Sequence, residues 1–222
     1  MIARRRSRVA QAGMVRGCCL GLFVVAGLVI ISVIVGSHAL AAPDLGPAPG
    51  GTAHGSSEAV IAAALGGEAA TQLLGKEHAV ISVSERDLTV IANARNPSPV
   101  RFRNPQARIR NGNVVVSADT SVGPFGVTAV ATFQLLFSNA SGTTQVTAHA
   151  VDYAVGQLGI PGFIGDRLDP RGSATLNLTA LFASNPALEL LSQAMDCVAV
   201  HSDGVHIGFH RPAVSPTTAT CA

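Results

Sequence analysis

Two long stretches of alternating apolar and polar residues lie in the second half of the chain. They cover residues 126–138 and 143–155, and the turn sequence Asn-Ala-Ser-Gly separates them. Alternation with a period of two residues is typical of a half-buried β-strand, because successive side chains point to opposite faces of a sheet. Each stretch has 13 residues, whereas about five or six are usual for a strand. The pattern therefore predicts an unusually long antiparallel hairpin.

One face of this hairpin combines large and small apolar side chains. The second strand presents Val146, Ala148 and Ala150 on this face. Alanine leaves space where a packed core would have leucine, so a curled sheet covered by helices is expected to enclose an apolar ligand. The alternative is that alanine allows a helix to pack closely against the sheet. The candidate ligand-binding residues of the first strand are Val127, Ala129, Ala131, Phe133, Leu135 and Phe137.

Helical patterns precede the hairpin. Residues 57–74 place apolar side chains at approximately helical spacing, which predicts the first helix of the body. A short β-branched stretch at 79–82 predicts a strand. Ser84 and Asp87, three residues apart, then resemble a capping box that opens a helix through Ala94.

Shorter signals complete the predicted fold. The dipeptide Asn111-Gly112 lies between two alternating runs and predicts a tight hairpin turn. Residues 187–194 predict a helix after Pro186, and 198–201 with 205–210 predict a final hairpin. Together these elements predict an α+β fold: a long, highly curved antiparallel β-sheet wrapped around one or two helices, preceded by an N-terminal transmembrane helix.

The N-terminal segment is apolar and uncharged. Residues 17–42 contain no charged side chain, and 18–36 form an apolar run that only Ser32 interrupts. At about 1.5 Å per residue, a helix of this length nearly spans a hydrocarbon core of about 30 Å. The alternative is a cleaved signal, because residues 39–41 (Ala-Leu-Ala) match a signal-peptidase site. In both cases the basic tail, residues 1–16, indicates a cytoplasmic N-terminus and an extracytoplasmic body.

The rest of the chain divides into a linker and a domain. Residues 43–57 are rich in Pro and Gly, which predicts a flexible linker. Residues 58–222 are expected to form the extracytoplasmic domain of a single-pass cell-membrane protein. Gly17 and Gly21 lie on one helix face at a spacing that lets membrane helices approach closely. A homodimer through these glycines is one expectation, and ordinary glycine usage in a membrane helix is the alternative.

Composition and charge exclude two classes of protein. The chain is 48% hydrophobic and only 13% charged, so it is too apolar for a disordered protein. All five arginines of the tail precede Asp44, the first acidic residue. The body therefore has ten basic and thirteen acidic side chains. This negative balance argues against nucleic-acid binding.

The sequence lacks the common catalytic motifs. It contains no G-x-S-x-G, no H-E-x-x-H, no phosphate-binding P-loop and no C-x-x-C. We therefore expect no enzymatic activity, no catalytic residue and no cofactor. His206 and His210 have the spacing of a helical metal-ligand pair, but in a predicted strand four residues span about 13 Å. No metal site is expected.

All charged side chains between Asp87 and Asp119 are basic. Such a stripe can bind anionic headgroups at a membrane surface, and a solvated strand face that resists aggregation is the alternative. The candidate headgroup-binding residues are Arg101, Arg103, Arg108 and Arg110.

Cys197 and Cys221 are the two cysteines of the body. In an oxidising extracytoplasmic compartment we expect them to form a disulfide. One buried thiol and one frayed thiol are the alternative.

Three segments give the chain a resemblance to a known family. They are Ile-Ser-Val-Ser-Glu-Arg-Asp-Leu at 81–88, Gly-Gln-Leu-Gly-Ile-Pro at 156–161 and Asp-Gly-Val-His-Ile at 203–207. In this order, behind one membrane segment, they resemble the bacterial membrane-anchored YpmS-type proteins and other tubular lipid-binding (TULIP-like) domains. The resemblance implies a highly curved sheet around a helix, with an apolar groove suited to an acyl chain.

The leading hypothesis is a membrane-tethered extracytoplasmic domain that reversibly binds a lipid or another apolar molecule. The alternative is a cell-envelope interaction or scaffold module with a packed interior. A continuous apolar cavity favours the lipid binder, and large side chains that fill the sheet face favour the scaffold.

Overall fold

In the described residues, three helices and two antiparallel sheets form an α+β fold, as the sequence predicts. The predicted helix at 187–194 lies almost wholly outside the described part of the chain. A computed structural model of the protein describes residues 27–96, 98–140, 143–160, 175–177, 193–211, 214–217 and 221.

Polar side chains cap the starts of two of the described helices. The helices are α1 (described at residues 27–40), α2 (Glu58–Gly75) and α3 (Glu85–Ala94). The side chain of Ser57 accepts a hydrogen bond from the N–H of Val60 and so caps α2. Ser84 and Asp87 form the predicted capping box, in which each side chain accepts a hydrogen bond from the backbone N–H of the other residue. These polar groups satisfy N–H groups that a helix start leaves without partners.

Nine strands pair into the two sheets in the described part of the chain. They are β1 (His78–Val83), β2 (Arg103–Arg110), β3 (Asn113–Val122), β4 (Phe125–Ala140), β5 (Thr143–Val155), β6 (Leu158–Ile160), β7 (Thr175–Asn177), β8 (Met195–Val200) and β9 (Val205–His210). The smaller sheet has the order β1-β9-β8. The larger has the order β2-β3-β4-β5-β6, and β7 also pairs with β5.

Two irregularities in the β2–β3 pair follow from the sequence. Asn111 and Gly112 both have positive φ, 51° and 74°, as the predicted tight turn requires. At the other end of the pair the register shifts just after Arg103. Pro105 has no N–H to donate to a ladder there, and Asn104 has a φ of 50°.

The long hairpin is present, but the sheet that contains it is not strongly curled. β4 has 16 residues and β5 has 13. The expectation of a highly curved sheet is therefore wrong. Bulges bend strands, yet the β4–β5 ladder has one register shift, between Thr132 and Phe133, and the β3–β4 ladder is continuous from Val114 to Val122. The smaller sheet closes the core instead, since the core combines residues of α2 and of both sheets.

The predicted membrane segment lies only partly within the described residues. In that part of the chain, no helix is long and apolar enough to cross a membrane. The predicted apolar run begins at Cys18, so the basic tail that is predicted to be cytoplasmic and both Gly17 and Gly21 lie outside the described residues.

Candidate ligand-binding cavity

An apolar cavity of about 340 Å³ lies between α2, α3 and the two sheets. Ile61 and Leu65 of α2 form one wall, and Leu88 and Ile91 of α3 form the next. The smaller sheet adds Ile81, Val83, Met195, Val198, Val205, Ile207 and Phe209. Such a concave and apolar space is typical of a small-molecule site.

The larger sheet lines the cavity with part of the face that the sequence selects. Phe133 and Leu135 of β4 are lining residues, together with Val146 and Ala148 of β5. The register places Leu135 directly opposite Ala148. Two of the six candidate ligand-binding residues are therefore at the cavity.

The other four candidates are not among the lining residues. Val127 is buried, Ala129 and Ala131 are half-buried, and Phe137 packs against the core cluster. Strand alternation identifies the face of β4 on which all six lie. It does not say which part of a 16-residue strand the helices leave uncovered, because that depends on packing between distant segments.

The helical wall is the part of the site that the sequence analysis missed. Ile61 and Leu65 are four residues apart, and Leu88 and Ile91 are three apart. These spacings place each pair on one helix face. The signal was therefore present in the sequence, but it does not tell which strands the two faces cover.

Two charged side chains stand at the rim of the cavity. Glu58 and Arg95 are the charged residues among its described lining, and Arg95 Nε donates to Glu58 Oε1 at 2.8 Å. Their side chains are 33% and 45% exposed. Exposed ion pairs contribute only about 0–1 kcal/mol, so this pair opens at little cost. The cavity thus has a polar rim and an apolar interior.

Arg108 and Arg110, two of the candidate headgroup-binding residues, bind the chain itself. Arg108 Nη1 donates to the carbonyl oxygens of Gly46 and Pro47, at 3.1 and 2.6 Å, and Arg110 Nη2 donates to that of Leu45 at 2.7 Å. Arg108 is only 8% exposed. These contacts fasten residues 43–57, which we call the strap, onto the outer face of the larger sheet, although a flexible linker is expected from their composition.

Arg101 and Arg103 are placed differently from the other two arginines. Both are exposed. Arg103 begins β2, and its backbone lies opposite that of Asp119 in the β2–β3 ladder. These two guanidinium groups are accessible to an external anion.

Glu85 joins the strap to β2. Its Oε2 accepts from the N–H of Gly50 at 2.6 Å, and its Oε1 accepts from the N–H of Ile109 at 2.6 Å and from Arg110 Nη1 at 2.9 Å. Burial by itself raises the pKa of Glu85, but these hydrogen bonds and the charge of Arg110 outweigh burial and lower the pKa. The carboxylate is therefore ionised at neutral pH.

Asp87 holds the far end of the strap. The N–H of His54 donates to its Oδ1 at 2.7 Å, while His54 Nδ1 and Ser84 Oγ each lie 2.7 Å from its Oδ2. Burial raises the pKa of Asp87, but the hydrogen bonds from His54 and Ser84 outweigh it, and the pKa is lowered. A nucleophilic serine passes its proton to an adjacent general base, which is a histidine in the serine triads. The Ser84 hydroxyl instead lies within hydrogen-bond distance of the Asp87 carboxylate and of the Thr52 carbonyl oxygen, the latter at 3.0 Å. These contacts indicate that Ser84 has a structural role.

The histidines of β9 bind different aspartates. His206 Nε2 lies 3.2 Å from the Asp203 carboxylate, and His210 Nδ1 lies 2.7 Å from Asp196. His78 Nδ1 contacts the other oxygen of Asp196 at 3.0 Å. Among the described residues, no three His, Cys, Asp or Glu side chains are grouped to hold a metal ion.

The structure joins Cys197 and Cys221 in the predicted disulfide. Cys197 lies on β8, and Cys221 follows it by 24 positions. The bond therefore fixes the C-terminal end of the chain to the smaller sheet.

Comparison with protein-family models, curated proteins and solved structures found no match to this chain. The resemblance to tubular lipid-binding domains therefore stays a prediction that rests on three sequence segments.

Proposed function

We propose that this protein is a single-pass, membrane-anchored extracytoplasmic domain that reversibly binds a lipid or similar apolar molecule. The apolar cavity between the helices and the sheets is the observation that carries the proposal. Binding uses no covalent chemistry, and no catalytic group is assigned.

The size and lining of the cavity favour one acyl chain as the occupant. Its volume of about 340 Å³ is at the low end of ligand pockets, which are about 300–1,000 Å³. An acyl chain gains about 0.8 kcal/mol for each CH₂ that it buries. The rim pair of Glu58 and Arg95 leaves the polar end of such a ligand in contact with charge and water.

The exposed surface of α1 supports the anchor. Its apolar side chains are uncovered at successive positions, so they occupy every side of the helix. Contiguous exposed apolar surface of this kind is unusual on a soluble protein and is typical of contact with a membrane. The exposed fractions run from 43% to 64% for Leu28, Val29, Ile30, Ile31, Val33, Ile34, Val35 and Leu40.

The scaffold alternative is less well supported. It requires a packed interior, whereas the interior here contains a cavity lined by both helices and both sheets. No separate feature of the described surface favours it over lipid binding.

Native mass spectrometry of the full chain, released gently from membranes, tests the proposal together with a cavity-filling variant. Ala92 is half-buried on α3 and lines the cavity. Ala92→Phe adds a benzyl-sized group to this space. We expect wild type to retain one acyl-chain lipid per protein and Ala92→Phe to lose most of it.

Ala94→Phe is the matched control, because Ala94 is exposed on the same helix and does not line the cavity. It should retain lipid as wild type does. Circular dichroism verifies that both variants fold. If wild type is purified without lipid and binds none after incubation with mixed lipids, the proposal is contradicted. That result would favour the alternative of an interaction or scaffold module.

A further inference from the structure

The anchor meets the body at the turn between β5 and β6. The N–H of Gln157 donates to the carbonyl oxygen of His38 at 2.9 Å, and its side chain donates to that of Ala42 at 3.1 Å. Gly156 has a φ of 59°, and a Cβ on it would lie 2.2 Å from the carbonyl oxygen of Ala39. The turn and the end of α1 are therefore in direct backbone contact, which only glycine permits.

The turn between β3 and β4 projects beyond this contact at the same end of the larger sheet. Val155, the last residue of β5, pairs with Ala129 of β4, and the N–H of Gly156 donates to the carbonyl oxygen of Thr128 at 2.7 Å. β4 begins three residues before Thr128, at Phe125. At about 3.3 Å per residue, Phe125 lies about 10 Å past the anchor contact.

This projecting turn is apolar and exposed. Val122 and Phe125 pair with each other across it and are 61% and 57% exposed. No Asp, Glu, Lys or Arg occurs between Asp119 and Asp152. Interfacial insertion requires such an uncharged apolar tip, because burying a charge in hydrocarbon is costly.

Basic and apolar side chains flank the turn. Arg103 pairs with Asp119, three residues before Val122, and both Arg101 and Arg103 are exposed. Val100, next to Arg101, is 91% exposed. Arginines beside an apolar tip match the order of headgroup and hydrocarbon layers at a bilayer surface.

The two charged residues of the cavity lining lie toward the same end of the larger sheet. Asn93 Nδ2, near the end of α3, donates to the carbonyl oxygen of Pro105 at 2.9 Å. Arg95 follows α3 and pairs with Glu58, the first residue of α2. The ion pair at the rim thus lies toward the start of β2, on the side of the molecule where the anchor and the apolar turn are found.

We propose that the β3–β4 turn, with Val122 and Phe125, inserts into the bilayer interface beside the anchor. The inserted turn fixes the orientation of the body, with the rim of the cavity toward the membrane. The inference rests on the proposed membrane anchor and adds a second, independent lipid contact to it.

A tryptophan scan of the full chain in proteoliposomes tests this contact, because the protein has no Trp. Phe125→Trp reports on the turn and Ile31→Trp on the anchor. Leu74→Trp is the control: Leu74 is 85% exposed and lies about 24 Å along α2 from Glu58, at 1.5 Å per residue. The vesicles contain phosphatidylcholine and phosphatidylglycerol with brominated acyl chains, which quench an indole inserted in the bilayer.

We expect a blue-shifted, strongly quenched emission for Ile31→Trp and Phe125→Trp, and neither effect for Leu74→Trp. If Ile31→Trp is quenched and Phe125→Trp behaves as Leu74→Trp does, the turn is in water and the inference is overturned while the anchor stands. If Ile31→Trp is not quenched, the anchor itself fails, and the inference fails with it. Lipid retention in the cavity is measured separately by mass spectrometry.

Discussion

Two carboxylates in the first turn of α3, Glu85 and Asp87, hold the strap together with Arg108 and Arg110. Glu85 accepts from the strap and from β2, and Asp87 accepts from the strap and from the helix cap. Both are buried, and both lie where the helix dipole favours negative charge. Each carboxylate is more stable ionised in the folded protein than in the unfolded chain, because the pKa of each is lowered.

The lowered pKa values predict the direction of the pH dependence of folding. Because folding lowers both values, the unfolded chain binds more protons than the folded protein, and protonation favours unfolding. The stabilisation is fully present above the ordinary pKa values of 4.5 for Glu85 and 3.8 for Asp87. We expect the free energy of unfolding, measured with urea, to fall as the pH decreases below about 4.5 and through the lowered values.

Asp87→Asn identifies the contribution of one carboxylate to this dependence. The variant places an amide against donors from His54 and Ser84, so it should lose about 1.5–3 kcal/mol at pH 7 and show a weaker acid dependence. Glu77→Gln is the control, since Glu77 is exposed, and should behave as wild type. If the free energy of unfolding of Asp87→Asn fell as steeply at low pH as that of wild type, Asp87 would not be a source of the acid dependence.

At the scale of elements, the hairpin of β8 and β9 is joined to the C-terminal end of the chain by a covalent bond. β9 is the central strand of the smaller sheet. Cys197 is buried on β8, and Cys221 is buried beside it. The Cys221 carbonyl oxygen also lies 2.8 Å from His201 Nε2. The disulfide is thus buried, although β8 is an edge strand of the smaller sheet.

Removal of this disulfide should destabilise the fold. The double variant Cys197→Ser/Cys221→Ser opens a loop with a sequence separation of 24, which corresponds to a loss on the order of 3 kcal/mol in the chain-entropy model. Urea unfolding measures the loss. Cys18→Ser/Cys19→Ser, which leaves the bond intact, should unfold as wild type does. Equal stability of the two double variants would show that the bond contributes nothing.

At the scale of the whole molecule, features of different origin meet at one end. Four features share that end: the contact of α1 with Gly156, the turn with Phe125, the pair of Glu58 and Arg95, and exposed Arg101 and Arg103. A protein that exchanges lipid with its own membrane needs its cavity to open there. The arrangement therefore links the proposed cavity to the proposed orientation.

Arg101 and Arg103 should set the preference of this end for anionic lipid. An arginine near an anionic surface contributes about 1 kcal/mol, a factor of about five in population. In vesicles with phosphatidylglycerol, Arg101→Gln/Arg103→Gln should lower the quenching of Phe125→Trp by brominated lipid. High salt should lower the same quenching in the Phe125→Trp protein that keeps both arginines. Arg86→Gln, an exposed arginine at the start of α3, is the control. Unchanged quenching in the double variant would show that Arg101 and Arg103 do not take part in the membrane contact.

Much of the secondary structure was predictable because its signals are local. The capping box at Ser84, the turn at Asn111 and the register break at Pro105 each depend on a few neighbouring residues. The site was predictable in part: alternation selects the face of Phe133 and Leu135 but not the stretch of β4 that lines the cavity. Arg108 looked like a surface cation, yet it is buried under the strap.

The sequence by itself determined helices α2 and α3, the hairpins β2–β3, β4–β5 and β8–β9, and the pairing of Cys197 with Cys221. Periodicity, capping and turn chemistry act over a few residues, and a small number of cysteines leaves few pairings. The tertiary structure alone decided that the larger sheet stays weakly curled, that the strap docks, and where the cavity lies. These outcomes depend on contacts between segments far apart in the chain, where shape and hydrogen bonding must match simultaneously, and no local pattern encodes that match.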